Sequence, residues 1–330
     1  MNRIGVDLGG TKIQGIVLGA GDAVLASERV ATPQGSYQAT LDAIVSTVRS
    51  LEQSVGGEPR IGIGAPGIWQ SARGAMKNCN STWLNGRPLL IDLAERLGTR
   101  VKVANDADCF ALSEASSGAG MGFPSVFGVI LGTGVGGGLV VNGQLLTGPN
   151  GLTGEWGHTP LPYLGIHECI HEGIRDPVRV NADFDQRHAV LDELESRLEL
   201  RDCYCGRRGC VETYLSGPGL QRSHLELWGE ERTCESIAGG SVAQSDEQAT
   251  LTLALYSRML ARSVAQVINV VDPAVIVLGG GLSNIGEIYG RLNEQLADYV
   301  FSGECVTVAK PPVWGSGSGV LGAARLWPAE

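Results

Sequence analysis

Short apolar segments separated by glycine-containing turns open the chain, and this pattern predicts strands at residues 3–8, 12–18 and 23–30. Apolar residues then recur at helical spacing, which predicts a helix at residues 36–54. The same reasoning adds, in chain order, a buried strand at 60–64, a helix at 89–97, a strand at 100–104 and a helix at 106–118. Hairpin strands followed by helices that return to the sheet indicate a mixed α/β domain.

A second α/β domain is predicted to begin near Pro124 with another hairpin. A long amphipathic helix follows at residues 246–270, and Pro273 ends it because proline cannot continue a helix. The strand predicted at 274–278 then runs into the glycine cluster at 279–281. The chain is therefore predicted to hold two domains of similar construction.

The predicted N-terminal domain covers residues 1–120 and the C-terminal domain covers residues 121–317. A short helix at 320–326 lies in the last segment, 318–330, which we expect to pack back on the first domain. A charged insertion of low glycine content at 163–202 contains a predicted helix near 189–200, and the sequence does not assign it to either core.

Composition narrows the class of protein. The chain has 330 residues of which 43% are apolar, enough for two packed cores. A net charge of −10 without a basic tract argues against nucleic acid or an anionic membrane as partner. No run of about eighteen apolar residues occurs and the N-terminus enters a strand directly, so we expect a soluble, cytoplasmic protein. Eight cysteines are too few for a disulfide scaffold and indicate a metal site or free thiols.

One fifteen-residue pattern occurs twice, at residues 4–18 and 127–141, with six identical positions. Each copy reads as two short strands around a glycine-rich turn, and such a turn presents backbone N–H groups that can bind phosphate. Two copies suggest two loops on one polyphosphate, although each copy alone could be an ordinary tight hairpin. The first copy alone contains Asp7, Thr11 and Lys12, which indicates that the two turns have different roles in binding the polyphosphate.

Asp7 replaces the apolar residue found at the equivalent position, Ile130, inside a strand that should be buried. A buried carboxylate is costly unless it meets a cation or hydrogen-bond donors. Beside a phosphate-binding turn the expected cation is Mg²⁺, held partly by nucleotide oxygens. The alternative is a carboxylate that caps its own turn.

Asn105 and Asp106 follow a predicted strand and open a helix. The carboxyl end of a strand is where α/β sheets place ligands. A carboxylate there suits the base that takes a proton from a substrate hydroxyl attacking a phosphoryl group. The alternative is helix capping, because Asn and Asp are preferred N-cap residues.

Cys203, Cys205 and Cys210 enclose glycines that permit a sharp turn. Three thiolates and one imidazole make a closed tetrahedral zinc site of structural type, and free buried thiols are the alternative. His158 is one candidate for the fourth ligand. Its competitors lie in the charged insertion, which could also hold a second metal or form a solvated acidic loop: His167, Cys169 and His171.

Two glutamates accompany the possible zinc ligands. Glu155 precedes His158 by three residues, between glycines that let the two side chains converge. Glu212 follows Cys210 by two residues, so that a metal-ordered turn would hold it in place. Glu212 can then hydrogen-bond substrate hydroxyls, or it is an ordinary surface carboxylate.

Together these motifs resemble the ROK family of sugar kinases and repressors, within the actin-like ATPase and hexokinase fold group. Three further segments, 78–85, 155–162 and 323–328, are similar to bacterial fructokinases of the manno(fructo)kinase type. The first phosphate loop begins at residue 4, ahead of which a repressor would carry a helix-turn-helix, so we expect the kinase branch. The family motifs span nearly the whole chain in order, at residues 7–12, 64–67, 105–106, 131–134, 154–158, 203–212 and 278–281.

The resemblance implies an actin-like ATPase fold whose two domains close on a cleft, and it implies a role for each matched residue. Asp106 would accept the proton of the sugar's 6-hydroxyl. Sugar hydroxyls would be bound by Gly67, Asn80, Asn105, Asp106, Glu155, His158 and Glu212. ATP and Mg²⁺ would be held by Asp7, Gly9, Gly10, Thr11, Lys12, Gly132, Thr133, Gly134 and Gly136, with the nucleoside near Gly279, Gly280 and Gly281.

The resemblance also implies a zinc site made by His158, Cys203, Cys205 and Cys210. Zinc on one ring nitrogen would orient the other toward the sugar, and this favours His158 over its competitors. Between His158 and Cys203 the chain is longer than in family members, which bears on oligomer contacts and access to the site.

From these features we expect a cytoplasmic homodimer that uses ATP, Mg²⁺ and Zn²⁺ to phosphorylate a hexose at the 6-hydroxyl. D-Fructose is the expected substrate, with mannose or glucose also accepted. The alternatives are an N-acetylhexosamine kinase or a glucose kinase of the same family, or a sugar sensor without catalytic activity.

Overall fold

The computed structural model describes residues 1–162, 182–243 and 245–328, with the backbone alone at 182–188. These residues form two five-stranded sheets surrounded by helices, and a separate two-stranded ribbon. The possible metal ligands His167, Cys169 and His171 lie outside the described residues. Among the helices that are described, none is at once long and apolar enough to cross a membrane.

The first sheet has a hairpin at one side and parallel strands at the other. Its half of the chain contributes β1 (Arg3–Leu8), β2 (Lys12–Leu18), β3 (Val24–Ala31), α1 (Tyr37–Val55), β4 (Arg60–Ala65), β5 (Ile68–Gln70), β6 (Ala75–Lys77), α2 (Leu89–Leu97), β7 (Val101–Asn105) and α3 (Asp106–Ser117). The strand order is β3-β2-β1-β4-β7, with β2 antiparallel to both neighbours and the last pairs parallel. The predicted elements agree within one residue. The β5–β6 ribbon was not predicted, because three-residue strands are too short to show alternation.

The second sheet repeats this arrangement. Its half of the chain contributes β8 (Ser125–Leu131), β9 (Val135–Val141), β10 (Gln144–Leu145), α4 (Ala182–Ser196), α5 (Glu212–Leu215), α6 (Gly217–Trp228), α7 (Cys234–Val242), α8 (Glu247–Val271), β11 (Val275–Gly279), α9 (Glu287–Tyr299), β12 (Val308–Lys310) and α10 (Ser318–Ala324). The order is β10-β9-β8-β11-β12, with the β8–β9 hairpin antiparallel and β11 parallel to β8. The sequence repeat is therefore a structural repeat, since both hairpins occupy the same place in their sheets.

Helix α4 differs from the prediction of a helix near residues 189–200, because it begins earlier and ends at Ser196. Leu194 and Leu198 are both buried, as their spacing suggested, but Leu198 lies in the turn after the helix. Glu195 shares this buried side and accepts hydrogen bonds from Arg258 at 2.6 Å and Arg262 at 2.9 Å. These contacts attach α4 to α8, which places it on the second core.

Helices α3 and α10 pack against each other between the two sheets. Helix α3 covers β8 and β9, whereas α10 returns to cover β1 and β4. The approach is so close that a Cβ on Gly322 would lie 1.7 Å from the Cys109 carbonyl oxygen, and one on Gly62 would lie 1.8 Å from the Ala323 carbonyl oxygen. Only glycine fits at these two positions, so α10 packs directly against the backbones of α3 and β4.

Candidate active site

A cleft of about 850 Å³ opens where the first hairpin turn faces β11 and the start of α3. The turn closes tightly, with the Gly9 N–H donating to the Lys12 carbonyl at 2.9 Å. Predicted site residues that line the cleft are Asp7, Gly9, Gly10, Thr11, Asn80, Asp106, Gly279, Gly280 and Gly281. The cleft thus joins the first phosphate turn, the predicted base and the glycines predicted to lie near the nucleoside.

Asp7 lies on β1 next to this turn, where strand pairing places it opposite Gln14 and Gly64. The pKa of Asp7 is raised to about 6, chiefly by burial; the charge of Asp106 contributes to this rise and Lys12 opposes it. Two neighbouring carboxylates with little solvent around them repel each other, and a divalent cation relieves that repulsion. The residues present therefore fit Mg²⁺ at this position.

Asp106 is the first residue of α3, and Asn105 is the N-cap of that helix. Asn105 accepts a hydrogen bond from the Ala107 N–H at 2.8 Å and donates to the Gly67 carbonyl at 3.0 Å. Asp106 Oδ1 accepts from the same N–H at 2.8 Å, so both residues take part in the capping that was the alternative for this pair. Asp106 is open to the cleft, yet enough protein surrounds it that desolvation raises its pKa. A carboxylate with a raised pKa is a better proton acceptor.

Three further predicted residues gather around Asp106 on the side of the second domain. Burial raises the pKa of Glu155, the His158 imidazole lowers it, and the charges of Glu212 and Asp106 raise it. Glu212 accepts a hydrogen bond from the Val135 N–H at 2.9 Å. The structure thus brings Glu155, His158 and Glu212 together beside the predicted base, as a sugar site requires.

The second hairpin turn lies apart from the lining of the cleft. A Cβ on Gly134 would lie 2.6 Å from Glu212 Oε2, so this turn lies against a residue that is predicted to bind sugar. The Gly132 carbonyl accepts from the Gly217 N–H at 2.8 Å, and the Gly136 carbonyl accepts from Trp156 Nε1 at 2.9 Å. The predicted phosphate role of Gly132, Thr133, Gly134 and Gly136 stays a prediction, as does that of Lys12.

The four predicted zinc donors converge, with all their ligand atoms within 4.8 Å of one another. Cys203 Sγ is 3.6 Å from His158 Nδ1, and Cys205 Sγ is 3.6 Å from Cys210 Sγ. Ligands at Zn–S about 2.3 Å in a tetrahedron lie about 3.8 Å apart, so the donor set fits zinc. The left-handed backbone of Gly206, at φ +86°, makes the turn between the cysteines possible.

Sequence reasoning missed several residues of the site. The segment from Pro312 to Gly319 lines the cleft, although its glycines and serines indicated only a turn before a helix. Trp83 and Phe110 also line it. Their positions depend on the packing of distant segments, which no local pattern reveals.

Asp108, three residues after the N-cap, is not part of the cleft lining, and the sequence did not single it out. Its Oδ1 is buried and has no hydrogen-bond partner among the described residues. Burial raises the pKa of Asp108 to about 7; the Asn105 N–H lowers it, and the charges of Asp106 and Glu155 raise it.

We expect Asp108→Asn to stabilise the protein increasingly as pH rises from 5 to 8. The folded pKa exceeds the unfolded value of 3.8, so the folded state holds the proton more tightly and wild-type stability falls between about pH 4 and 7. If half of this rise in the pKa of Asp108 is realised, ionised Asp108 lowers the free energy of unfolding by about 2 kcal/mol. Melting temperatures of wild type and variant across this pH range measure the effect. Glu95→Gln, at an exposed position on α2, is the control, and a pH-independent difference for Asp108→Asn would contradict the prediction.

The fold defines a class: two similar α/β halves, each with a hairpin around a glycine-rich turn, and a cleft lined by Asp7 and Asp106 are the plan of the actin-like ATPase and hexokinase fold group. The ROK family model matches residues 3–330, and the chain belongs to the ROK family. It is similar to the N-acetyl-D-glucosamine kinase of Pasteurella multocida, with 36% identity over 325 residues, covering 98% of this chain and 99% of the relative. The N-acetyl-D-glucosamine kinase of Escherichia coli O9:H4 is 36% identical over 322 residues, with 98% of each chain covered.

Solved structures agree with this assignment. The ROK hexokinase from Thermus thermophilus has a TM-score of 0.80 at 26% identity, covering 99% of this chain and 97% of its own. A ROK family glucokinase from Streptomyces griseus, in complex with glucose and AMPPNP, has a TM-score of 0.71 at 26% identity, covering 99% of each chain. The predicted fold and the prediction of a ROK-family sugar kinase are confirmed. The finer resemblance to fructokinases is not supported by these relatives, whose names favour the N-acetylhexosamine alternative.

Proposed function

We propose that this protein transfers the γ-phosphoryl group of ATP to the 6-hydroxyl of N-acetyl-D-glucosamine. The position of Asp106 carries the proposal: it opens α3 at the cleft, beside Asp7 of the phosphate turn and beside the cluster of Glu155, His158 and Glu212. The choice of sugar is supported by relatives of that name that are 36% identical over nearly the whole chain.

In the proposed reaction Asp106 accepts the proton of the 6-hydroxyl while that oxygen forms a bond to the γ-phosphorus. The bond from the γ-phosphorus to the bridging oxygen breaks, which leaves ADP and the sugar 6-phosphate. Asp7 and the first turn position the polyphosphate, and Mg²⁺ bound there would neutralise its charge. Most of the rate enhancement would come from positioning and from electrostatic stabilisation.

We propose that zinc is held by His158, Cys203, Cys205 and Cys210. A site with four protein ligands has no open position for water, so its role would be structural. Nδ1 of His158 faces the thiols, so Nε2, which lies 3.0 Å from the Tyr204 hydroxyl, is the ring nitrogen that would contact the sugar. The turn also carries Glu212, so the metal would order two sugar-binding residues at once. The homodimer, the cytoplasmic location and the absence of nucleic-acid and membrane partners stay predictions.

An ADP-release assay with a panel of sugars tests the proposed function. We expect kcat/KM for N-acetyl-D-glucosamine to exceed that for fructose, mannose and glucose by about tenfold or more, because a site that pairs with the acetamido group has unpaired polar groups when these sugars bind. N-acetyl-D-mannosamine carries the same group with the opposite configuration at C2, so its rank in the panel tests recognition of that configuration. The Asp106→Asn protein, purified in parallel, measures contaminating kinases. If fructose ranks first, the choice of sugar is wrong and the phosphoryl transfer stands. If no ADP is released with any of the sugars, the kinase proposal fails, which is the result expected for the alternative of a sugar sensor without catalytic activity.

A further inference from the structure

Tyr204 lies between two of the possible zinc ligands, Cys203 and Cys205. Its side chain is 64% exposed, which is high for a tyrosine beside an active site. Its hydroxyl nevertheless lies 3.0 Å from His158 Nε2. The two rings meet edge to face, with their centroids 5.1 Å apart. Tyr204 therefore occupies the one ring nitrogen of His158 that does not face the thiols.

The chemistry of His158 decides which group can sit at that nitrogen. Nδ1 is 3.6 Å from Cys203 Sγ and belongs to the metal side. An imidazole that binds a metal through Nδ1 carries its proton on Nε2, which is then a donor only. With the proton on Nε2, the Tyr204 oxygen at 3.0 Å would accept from it. A single N–H serves one good acceptor at a time, so a sugar oxygen and the phenol oxygen compete for it.

The surroundings of Tyr204 place it within the sugar cluster. The His158 ring that the Tyr204 hydroxyl meets belongs to that cluster, together with Glu155 and Glu212, the two carboxylates that are expected to bind sugar hydroxyls. Because most of the ring is exposed, it can leave this position without opening a cavity in the core.

We propose that the Tyr204 hydroxyl holds the place of a sugar oxygen on His158 when no sugar is bound, and that sugar binding displaces it. Tyr204 is then a positioning residue: it keeps the His158 ring oriented in the empty site and lowers the affinity for sugar. The inference rests on the proposed function, since it requires His158 to contact the sugar.

Tyr204→Phe tests the displacement, because it removes the competing oxygen and keeps the ring. We expect the Kd for N-acetyl-D-glucosamine to fall by about two- to tenfold, the range of one hydrogen bond. Calorimetric titration of the sugar into the full chain, without ATP, measures it. Zinc content measured in the same samples should be unchanged. Tyr37→Phe, which removes a hydroxyl bonded to Asp92 far from the cluster, is the matched control and should leave Kd unchanged.

Each result is decisive. An unchanged or raised Kd in Tyr204→Phe overturns the displacement, since the phenol oxygen then either does not compete or itself binds the sugar. Loss of zinc in this variant also overturns it, because Tyr204 would then support the turn instead. The titration uses the sugar that ranks first in the panel if that is another one, so a wrong choice of sugar does not affect the test. If no sugar binds to wild type, the proposed function fails, and this inference fails with it.

Discussion

Asp106→Asn is expected to lower kcat by about 10²- to 10⁴-fold, the range that a positioned general base contributes. The amide oxygen of asparagine can accept the hydrogen bond that Asp106 Oδ1 now accepts from the Ala107 N–H at 2.8 Å, so the start of α3 should be preserved. An amide cannot take the proton of the attacking hydroxyl. The reaction would then depend on proton loss to water.

Binding of both substrates should survive this change. The charge of Asp106 raises the pKa of Asp7, so its removal leaves Asp7 more fully ionised, which offsets the loss of the second carboxylate near the cation. We expect Kd values for sugar and for ATP with Mg²⁺ within about threefold of wild type, a difference below 1 kcal/mol. Calorimetry measures these constants, and the ADP-release assay measures kcat at saturating substrates.

Asp108→Asn is the matched control for Asp106→Asn, because it makes the same chemical change two residues further along the same helix. It should retain most of the wild-type turnover at pH 7. An Asp106→Asn enzyme with a kcat within tenfold of wild type would contradict the role of Asp106 as the base. A large loss of sugar affinity in that variant would instead assign Asp106 to binding.

The sequence predicted the elements well wherever local signals agree. Helix α8 shows why: apolar positions recur at helical spacing, Asp246 caps its start by accepting from the Ala249 N–H at 3.0 Å, and Asp272 ends it in the left-handed region at φ 48°. The cluster of three cysteines was also indicated by its spacing, whereas the choice of His158 as the residue beside it came from the family resemblance. Local periodicity, capping and spacing involve residues that are close together in the sequence, so they can be recognised from the sequence alone.

Long-range packing was not readable in the same way. The contact of Gly322 with the Cys109 backbone holds α10 against α3, yet the two residues are more than two hundred positions apart. The end of α4 was misplaced because Leu198 is buried from a turn, and burial alone does not distinguish a turn from a helix. In the sequence Tyr204 is only the residue between two cysteines, whereas in the fold its hydroxyl lies 3.0 Å from His158 Nε2.

The identity of the sugar was the least accessible property. Segments 78–85 and 155–162 resemble fructokinases, whereas whole-chain similarity favours N-acetyl-D-glucosamine kinases. Discrimination between sugars requires only about 1–3 kcal/mol and depends on which hydroxyl each side chain reaches. Glu155, His158 and Glu212 are polar groups that suit any hexose, so they indicate only the class of substrate. Which hexose is preferred depends on the groups around them.

Cys210→Ser is expected to remove most of the zinc and to raise the KM for sugar by about 10- to 100-fold, the effect typical of losing a group that orients a binding residue. The Cys210 side chain is 1% exposed and its sulfur lies 3.6 Å from Cys205 Sγ, so a hydroxyl cannot replace it as a soft ligand. Without the metal the turn would hold neither His158 Nε2 nor Glu212 in place. Zinc content, the melting temperature and KM measure these effects.

The control is Cys305→Ser, which changes a half-buried thiol outside the zinc donor set and should alter none of these quantities. Removing zinc from the wild-type protein with a chelator should reproduce the kinetics of Cys210→Ser. Adding zinc back should restore the activity of the wild-type protein but not that of the variant. Because the metal is expected to orient sugar contacts and not to enter the reaction, KM for sugar should rise more than kcat falls, while KM for ATP stays near its wild-type value. Full sugar affinity in the metal-free protein would refute this ordering role, even if the four donors do bind zinc.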